Sequence, residues 1–380
     1  MRNIQGFSRI RLQRFRVRDF RNLEDVDLEP NERFSVIFGN NGQGKTSLLE
    51  AIYVSLTSRS FRTAKTKEAL RWSSEATDMC SEIVEDHQDG QLVRKQQVTI
   101  SSRGTALRID DNEPANVTEF ALRSPVVVFH ADEMELSQGS AQGRRRLLDR
   151  IALYQSQSAA YDRTRYARSL KARQRLLLAG AFRDPSLDAF ERLIAEHGSR
   201  LIHARRGAAL ALAQELKTTF EGMAAKGAEL VCEYQPGGSN DVLEFQKELV
   251  TNRTKDARLR SASVGPHRDE LGLRLDGHTA KLGASQGQHR MITLALKAAE
   301  AQCIRLARGL EPLLLLDDIS SELDDERTDA LFSYLERAQG QVILTTTRPD
   351  LIRLGEQGKN RLDIKIVEGK IASELGQKCQ

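Results

Sequence analysis

One short motif constrains the fold of this chain more than any other part of its sequence. Residues 39–46 read Gly-Asn-Asn-Gly-Gln-Gly-Lys-Thr and fit the pattern G-x-x-x-x-G-K-[ST]. The apolar run that ends at Gly39 is typical of a buried strand, and the apolar positions of 48–56 fall on one face of a helix. Because a strand, a glycine-rich loop and a helix follow one another here, the motif has the context that a phosphate-binding loop requires.

The residue types in this loop suit the phosphates of a nucleotide. Gly42 and Gly44 allow the backbone to curl so that consecutive N–H groups point at phosphate oxygens, and the start of the following helix favours an anion. Lys45 supplies a mobile charge for the β and γ phosphates, and the Thr46 hydroxyl is suited to Mg²⁺. We predict that the whole loop contacts ATP, through Gly39, Asn40, Asn41, Gly42, Gln43, Gly44, Lys45, Thr46 and Ser47.

The composition limits the remaining possibilities. The chain has 380 residues, enough for two or three lobes, and its formal net charge of +4 is too mild to indicate a nucleic-acid partner by itself. It has no run of eighteen apolar residues and no signal peptide, so we predict a cytoplasmic protein without a membrane partner. The four cysteines are far apart and lack C-x-x-C spacing, which indicates free thiols rather than a disulfide or zinc framework.

Four arginines precede the loop on a predicted strand pair between residues 10 and 28. They are Arg14, Arg16, Arg18 and Arg21. Two interpretations are equally open for them. They form a solvated strand face, or they contact the phosphates or a second protomer.

From about residue 149 to residue 220 the pattern changes to long helices. Asp184 and Pro185 are typical of an N-cap followed by proline at the first helical position, and Gly180 is typical of the end of the preceding helix. We therefore predict an antiparallel helical pair. The second helix carries an apolar stripe that we interpret as core, formed by Leu187, Phe190, Ile194, Leu201, Ala208 and Leu212.

The same helical pair is rich in basic residues. Charged helix faces are usually only solvated, but the clustering of one sign makes a phosphate-contacting surface an equally good interpretation. The residues concerned are Arg163, Arg165, Arg168, Lys171, Arg173, Arg175, Arg200, Arg205 and Arg206.

Two motifs late in the chain supply the rest of a nucleotide site. The apolar run 312–316 ends in Asp317 and Asp318, which is a Walker B pattern. Asp317 would hold Mg²⁺ together with Thr46, and Asp318 would polarise the attacking water, so we predict Lys45, Asp317 and Asp318 as the catalytic residues. The other motif, Ser285, Gln286, Gly287 and Gln288, opens a predicted helix whose N-terminus suits an anion.

Together these motifs resemble the RecF family, bacterial DNA replication and repair proteins that are ABC-type ATPases related to SMC proteins. The resemblance covers residues 12–371, although His289 stands where the family signature S-Q-G-Q-Q-R usually has glutamine. The segments that carry it are 20–23 (Phe-Arg-Asn-Leu), 39–46, 58–63 (Ser-Arg-Ser-Phe-Arg-Thr), 265–269 (Gly-Pro-His-Arg-Asp), 285–288 and 316–324.

This resemblance implies an α/β fold, with an ABC-type P-loop ATPase head (a mixed sheet with flanking helices) and a short helical arm lobe. The head would combine residues 1–148, which hold the phosphate loop, with residues 261–380, which hold the signature and Walker B strand; the arm would be 149–260. It also implies that ATP lies between two protomers, and that residues 285–288 act on the ATP of the other protomer.

The function that the resemblance implies is a weak ATPase that acts as a switch. The ATP-bound homodimer would bind single-stranded, gapped or junction DNA, with RecR and RecO as partners, and would help recombinase loading and SOS induction. The alternatives are a nucleotide-binding subunit of another ABC-type system and an ATP-binding scaffold with little hydrolysis. A transporter subunit would have an L-S-G-G-Q signature and no arm, and the paired acids argue against a scaffold.

Overall fold

The computed structural model describes residues 7–72, 74–87, 90–223, 227–318, 325–352, 354 and 361–376. The strands are β1 (Ser8–Phe20), β2 (Leu23–Leu28), β3 (Phe34–Phe38), β4 (Ala76–His87), β5 (Gly90–Ser101), β6 (Gly104–Ile109), β7 (Val126–Phe129), β8 (Leu230–Gln235), β9 (Glu270–Leu275), β10 (His278–Thr279), β11 (Leu310–Glu311), β12 (Leu313–Leu316), β13 (Val342–Thr346), β14 (Arg361–Val367) and β15 (Lys370–Gly376). The helices are α1 (Lys45–Thr57), α2 (Val117–Leu122), α3 (Glu135–Gln138), α4 (Ala141–Gln155), α5 (Ser158–Leu178), α6 (Pro185–Glu221), α7 (Val242–Thr251), α8 (Arg253–Leu259), α9 (Ala280–Gly283), α10 (Gln286–Arg308) and α11 (Asp325–Arg337). None of these helices, as far as they are described, has the length and apolar content needed to cross a membrane.

The strand before the phosphate loop lies inside a six-stranded sheet with the order β15-β14-β3-β13-β12-β7. Strand β3 pairs in parallel with β13 and β14, and β12 pairs in parallel with β13 and β7. Strands β3, β12 and β13 are short and almost wholly buried, as expected for parallel strands covered on both faces. Their parallel order brings their carboxyl ends to one edge, where the phosphate loop and the Walker B acids leave the sheet.

A second sheet is mainly antiparallel, with the order β11-β1-β4-β5-β6 and β2 paired to β1. Helix α1 packs between the two sheets. One buried apolar cluster contains Phe15 and Val98 of the second sheet, Leu49 and Ile52 of α1, and Ile343 of the first. The helix that carries the phosphate loop is therefore fixed on both sides by the hydrophobic effect.

The buried side chain of Gln341 also joins these two sheets. Its Oε1 accepts a hydrogen bond from Leu12 N at 2.7 Å, and its Nε2 donates to Leu12 O at 3.0 Å and to Asn31 O at 2.7 Å. On this edge of β1, pairing with β11 extends only as far as Arg9, and pairing with β2 starts at Phe15. The amide therefore satisfies backbone groups that would otherwise be buried without a partner.

The chain divides into two compact units. The first combines Met1–Glu133 with Ile304–Gln380, and the second is Met134–Cys303. Both ends of the chain thus build the unit that holds the phosphate loop and the Walker B strand. These borders differ from the predicted lobe borders at 148 and 260, because α4 packs on α6 and β8 pairs with β9 inside the second unit. The division into functional lobes remains a prediction.

Within the second unit, the predicted antiparallel helical pair is confirmed by α5 and α6. Asp162 near the start of α5 contacts His197 of α6, whereas Arg173 near its end contacts Glu191, so the two helices run in opposite directions. The Asp184 carboxylate caps α6 by accepting from the backbone N–H two residues on, at 2.8 Å. The apolar stripe predicted on α6 is buried, apart from one half-buried phenylalanine.

Two of the arm arginines are buried, and the interpretation of them as phosphate contacts is wrong. Arg173 is fully buried and donates to Glu191 at 2.9 Å and to Asp256 at 2.7 Å. Arg205 is 5% exposed and donates through two nitrogens to Asp149, at 2.8 and 3.1 Å. Their charges are neutralised inside the second unit, so neither guanidinium reaches a DNA phosphate.

The other basic residues of the helical pair lie nearer the surface. Arg163 and Arg165 are half-buried. The exposed ones are Arg168, Lys171, Arg175, Arg200 and Arg206. The interpretation as a phosphate-contacting surface therefore stays open for these residues alone.

Three of the N-terminal arginines pair with acids on neighbouring strands, which favours a solvated face for them. Exposed ion pairs of this kind contribute little to stability. The pairs are Arg14 with Asp27 at 2.6 Å, Arg16 with Glu82 at 3.0 Å and Arg18 with Asp25 at 3.3 Å.

Candidate nucleotide-binding site

Two glycines in left-handed backbone conformations shape the phosphate loop. Gly42 has a φ of 79° and Gly44 a φ of 111°. A Cβ on Gly44 would also lie 3.1 Å from Asn22 Nδ2 and 3.2 Å from Leu23 Cδ2. A larger residue at position 44 would strain the backbone and press on the β1–β2 turn, so this position requires glycine for two independent reasons.

Lys45, the first residue of α1, folds back across the loop. It is 6% exposed, and its Nζ donates to Gly39 O at 2.8 Å and to Asn40 O at 3.0 Å. Burial lowers the pKa of Lys45, and the carboxylates of Asp318 and Asp317 partly oppose this shift. A phosphate in the loop would favour the charged ammonium form of Lys45.

Three residues from three elements meet at the edge of the sheet. Asp317 Oδ1 accepts hydrogen bonds from Thr46 Oγ1 and Thr345 Oγ1, each at 2.8 Å. Thr46 lies in the first turn of α1, Asp317 follows β12, and Thr345 belongs to β13, which lies between β12 and β3. The structure thus places the two residues predicted to hold the metal in direct contact, through the oxygen atoms that Mg²⁺ prefers.

Asp318 follows in an uncommon backbone conformation, with a φ of 46°. Its backbone N–H donates to Thr345 Oγ1 at 3.0 Å, so one threonine hydroxyl orients both acids. Aspartate tolerates positive φ better than most residues, and such strained positions cluster at functional sites. The segment that resembles the family continues to residue 324, but residues 319–324 lie outside the described part of the chain.

Two turns hold the phosphate loop from outside. Asn22 Nδ2, in the β1–β2 turn, donates to Gly42 O at 3.3 Å. In the β14–β15 turn, Glu368 N donates to Gln43 Oε1 at 2.6 Å and Gly369 N donates to Gln43 O at 2.9 Å. Sequence reasoning missed these contacts because the second turn lies about 325 residues beyond the loop, and no local pattern reports such a pairing.

Glu50 of α1 is the centre of a second cluster that was not predicted. Its carboxylate is fully buried and accepts from Arg21 at 2.5 and 2.8 Å, from Ser60 Oγ at 2.6 Å and from Arg62 at 3.3 Å. Two of the motifs that carry the family resemblance therefore converge on the helix that follows the phosphate loop. The sequence did contain a signal, because Glu50 is the only acid in α1.

In the second unit, the predicted signature residues begin α10 with a reciprocal cap. Gln288 N donates to Ser285 Oγ at 3.2 Å, and Ser285 N donates to Gln288 Oε1 at 2.8 Å. Ser285, Gln286 and Gln288 are exposed and Gly287 is half-buried. This helix start is therefore accessible to a ligand or to another protomer.

His289, which departs from the family signature, is directed into the second unit. It is 5% exposed, and its backbone oxygen accepts from Ser137 Oγ at 3.2 Å. Burial lowers the pKa of His289 and thus favours the neutral imidazole. The substitution thus lies beneath the exposed signature residues and leaves their cap intact.

The parallel sheet, the phosphate loop after β3 and the acid pair after β12 define a P-loop ATPase head of the ABC type. The family model described as RecF/RecN/SMC N terminal domain matches residues 11–371. DNA replication and repair protein RecF of Myxococcus xanthus (strain DK1622) is 33% identical over 374 residues, which cover 96% of this chain and 97% of that protein. RecF of Anaeromyxobacter sp. (strain Fw109-5) is 36% identical over 346 residues, or 88% and 92% of the two chains. This chain belongs to the RecF family.

Solved structures agree with this assignment. One described as the recombination mediator protein RecF-ATPrS in the RecFOR pathway superposes with a TM-score of 0.85 at 26% identity, and covers 97% of this chain and 99% of that one. An SMC head bound to the C-winged helix domain of ScpA gives a TM-score of 0.54 at 14% identity, with coverage of 96% and 98%, and shows the shared fold alone. The predicted fold class is confirmed.

Proposed function

We propose that this chain binds ATP with Mg²⁺ through residues 39–47, hydrolyses it slowly, and binds gapped or single-stranded DNA as an ATP-bound dimer. The observation that carries the proposal is the meeting of Thr46 and Asp317 beside the loop that Lys45 crosses. The match of nearly the whole chain to RecF structures described with ATPrS and with ATP supports the choice of nucleotide.

The oxygen pair fits Mg²⁺ by its spacing as well as by its chemistry. Neighbouring ligands in an octahedral Mg²⁺ shell of about 2.1 Å radius lie about 3 Å apart. Thr46 Oγ1 and Asp317 Oδ1 lie 2.8 Å apart. Two protein ligands suffice, because Mg²⁺ in nucleotide sites takes its remaining ligands from phosphates and water. When bound, the ion would neutralise charge on the β and γ phosphates.

The side chains of this protein would contribute to hydrolysis by positioning the phosphates and the attacking water. The loop N–H groups and Lys45 hold the phosphates, and Asp318 orients and polarises the attacking water. Thr345 keeps Asp317 and Asp318 in register through its hydroxyl. Slow turnover suits a switch, because the lifetime of the ATP-bound state then sets how long the dimer persists.

The exposed signature supports the dimer. Ser285–Gln288 would act on the ATP of a second protomer, and DNA binding would follow from that assembly. RecR and RecO are proposed partners in a RecFOR-type pathway, in which the protein would support recombinase loading at gaps and SOS induction in the cytoplasm. The name RecFOR pathway, attached to the matching solved structures, supports these partners.

The test measures molar mass and DNA binding in parallel on the full chain, with and without ATP and Mg²⁺. We expect a monomer without ATP and a dimer with it, and tighter binding to a gapped duplex only in the second state. EDTA should reverse both effects. DNA binding that is equally tight without nucleotide would contradict the proposed switch.

Lys45→Ala should weaken ATP binding at least tenfold. The reason is the loss of charge-assisted hydrogen bonds to phosphate, each worth about 1.5–3 kcal/mol. Calorimetric titration with ATP and Mg²⁺ measures the affinity, and Lys365→Ala, an exposed lysine of β14, is the matched control. A Lys45→Ala protein that hydrolyses ATP at the wild-type rate would show that the loop is assigned wrongly.

A further inference from the structure

The first unit presents a basic surface segment that the nucleotide site does not use. We define it as the basic loop, residues 59–72, which run from the end of α1 toward β4. It contains five basic residues (Arg59, Arg62, Lys65, Lys67 and Arg71) and one acid (Glu68), so 5 − 1 gives a net charge of +4. The whole chain also has a formal net charge of +4. This short segment therefore carries as much excess positive charge as the entire protein.

The base of the loop is anchored firmly to the body of the unit. Phe61 stacks on His130 with ring centroids 5.0 Å apart, and Ala69 is fully buried. Arg62 and Arg71 form ion pairs with Glu50 and with an acid of β2, so these two guanidinium groups are directed back toward the protein. The anchoring makes the remaining positive groups a fixed surface rather than a flexible tail.

The outward side of the loop presents basic side chains to solvent. Arg59, Lys65 and Lys67 are exposed. Lys67 Nζ donates to Ser102 O at 2.7 Å, a neutral partner, which places the loop beside the β5–β6 turn and its exposed Arg103. The surface thus combines the cations of two chain segments, as expected for contact with an extended polyanion.

At the end of the loop stands Trp72, the only tryptophan of the chain. It is the second residue of a turn closed by Ser74 N donating to Arg71 O at 3.1 Å. The side chain is 94% exposed, more than any other large apolar side chain in the described part of the protein. An indole on a basic surface suits an unstacked nucleobase, because bases stack on aromatic side chains while cations hold the backbone.

The loop is also connected to the phosphate site by backbone contacts. Arg21 N donates to Ala69 O at 2.8 Å, and Arg71 N donates to Asp19 O at 3.0 Å. Asp19 lies near the end of β1, and Arg21 lies in the β1–β2 turn, whose Asn22 contacts the phosphate loop at Gly42 O. One turn therefore contacts both the phosphate loop and the basic loop.

We propose that the basic loop is a DNA-contacting surface of the first unit, and that Trp72 stacks on an unpaired base or on the terminal base pair at a gap. This rests on the proposed function, since it names the surface by which the ATP-bound protein would recognise a discontinuity in DNA. The phosphate contacts come from Arg59, Lys65 and Lys67, and the preference for gaps comes from the indole.

The first test uses the fluorescence of Trp72, which no other tryptophan obscures. The full chain with ATP and Mg²⁺ is titrated with a gapped duplex and with a covalently closed duplex circle, while anisotropy of labelled DNA reports binding. We expect tryptophan emission to fall on the gapped duplex in parallel with the binding curve, and to stay constant on the closed circle. Unchanged emission at saturation with gapped DNA would refute stacking.

A second test uses affinity. Trp72→Ala should weaken binding to the gapped duplex about tenfold and leave the closed circle unaffected, whereas Trp72→Phe should keep most of the affinity. Leu243→Ala, at a 69% exposed apolar position of α7, is the matched control and should change neither. An equal loss on both DNAs would overturn the role in gap recognition.

The cations are tested by salt. Lys65→Ala and Lys67→Ala should each flatten the slope of log affinity against log salt by about one, whereas Lys255→Ala, an exposed lysine of α8, should not. Poly-glutamate that quenches Trp72 as strongly as gapped DNA would overturn the assignment to nucleic acid. If wild type binds no DNA with ATP, the proposed function fails as well; if it binds but these variants behave as wild type, only this surface is refuted.

Discussion

At the scale of single residues, arginines in similar sequence contexts differ in burial. Tyr166, Leu170 and Leu177 of α5 share one helical face, and Arg173 falls on that face at the same spacing. It is therefore buried, whereas Arg175, two residues on, is exposed. Arg205 lies in the same way on the apolar stripe of α6. The helical period of the sequence is therefore enough to distinguish these buried arginines from the exposed ones.

This pair of arginines gives a matched test. Arg173→Ala should destabilise the protein by about 3–5 kcal/mol, because the buried Asp256 would lose the arginine that pairs with it and the buried Glu191 would keep only Arg253. Arg175→Ala should change stability by no more than about 0.5 kcal/mol. Urea unfolding measures both. On DNA, only Arg175→Ala should flatten the salt dependence, by about one in slope; a lower slope for a folded Arg173→Ala protein would contradict its burial.

Asp318 allows nucleotide binding to be separated from hydrolysis. Asp318→Asn keeps the size of the side chain and the backbone contact to Thr345, but removes the charge that would polarise water. The variant should bind ATP, turn it over at least about a hundredfold more slowly, and accumulate as a dimer. Light scattering with ATP, alongside phosphate release, measures this. A variant that stays monomeric with ATP would count strongly against the water-positioning role.

At the scale of elements, the turn 265–269 shows that a motif of the family can serve to hold the fold together. A Cβ on Gly265 would collide with Tyr166 Oη. His267 Nε2 faces Ala262 O at 2.9 Å, a carbonyl that can only accept, so Nε2 carries the proton and Nδ1 accepts from Tyr166 Oη at 2.6 Å. Asp269 is fully buried and accepts from three donors. The turn therefore joins the helical pair to the antiparallel strands β8 and β9 within the second unit.

This turn predicts a pH dependence of stability. Burial lowers the pKa of His267 below its ordinary value near 6.5. Below pH 6.5 the unfolded chain therefore binds a proton at this histidine more readily than the folded chain does. The contribution of His267 to the free energy of unfolding is complete above pH 6.5 and is lost as the pH falls below that value. His267→Gln, which has both a donor and an acceptor but no proton to gain, should flatten the pH dependence by up to about 1.4 kcal/mol per pH unit.

Urea unfolding of both proteins between pH 7.5 and pH 5.5 measures that difference. The matched control is His278→Gln, because His278 is an exposed residue of β10. Curves for wild type and His267→Gln that stay parallel over this range would contradict the assigned protonation state.

Local sequence patterns predicted much of the fold at this scale. The contacts that they did not predict were missed for physical reasons. The phosphate loop, the Walker B strand and the helical pair were predicted, because periodicity, glycine and capping residues act within a few positions. The partners of Gln341 and of Glu50 were not, because they are chosen by packing between distant strands. The borders of the two compact units also depend on such long-range packing and differ from the predicted lobe borders, which remain a prediction.

At the scale of the whole molecule, the phosphate loop and the signature belong to different compact units of one chain. Ser285→Arg places a bulky cation where a phosphate of another protomer would pack, but leaves the chain's own loop untouched. The Ser285→Arg protein should therefore bind one ATP per chain, but it should neither dimerise with ATP nor hydrolyse it. Ser285→Asn, which keeps an N-cap side chain, is the matched control for helix stability.

Mixing Ser285→Arg with Lys45→Ala sharpens this prediction. A mixed dimer has one site with both defects and one site with neither, so partial hydrolysis should return. Molar mass by light scattering and phosphate release, on each variant and on the mixture, measure the outcome. A Ser285→Arg protein that dimerises with ATP and turns it over normally would mean that each site is complete within one chain.

The central position of β3 in its sheet has a consequence for the synthesis of the protein on the ribosome. This strand emerges early, but its two neighbours in the sheet, β13 and β14, lie at residues 342–346 and 361–367. Until those residues have been translated, both edges of an apolar strand lack their partners, and an unpaired strand edge is prone to aggregation and proteolysis. Asp317, too, reaches Thr46 only late. Nascent chains should therefore be unable to hold ATP until residues 317 and 342–367 have emerged, and terminated products that lack these residues should be degraded rather than accumulate as partial ATPases.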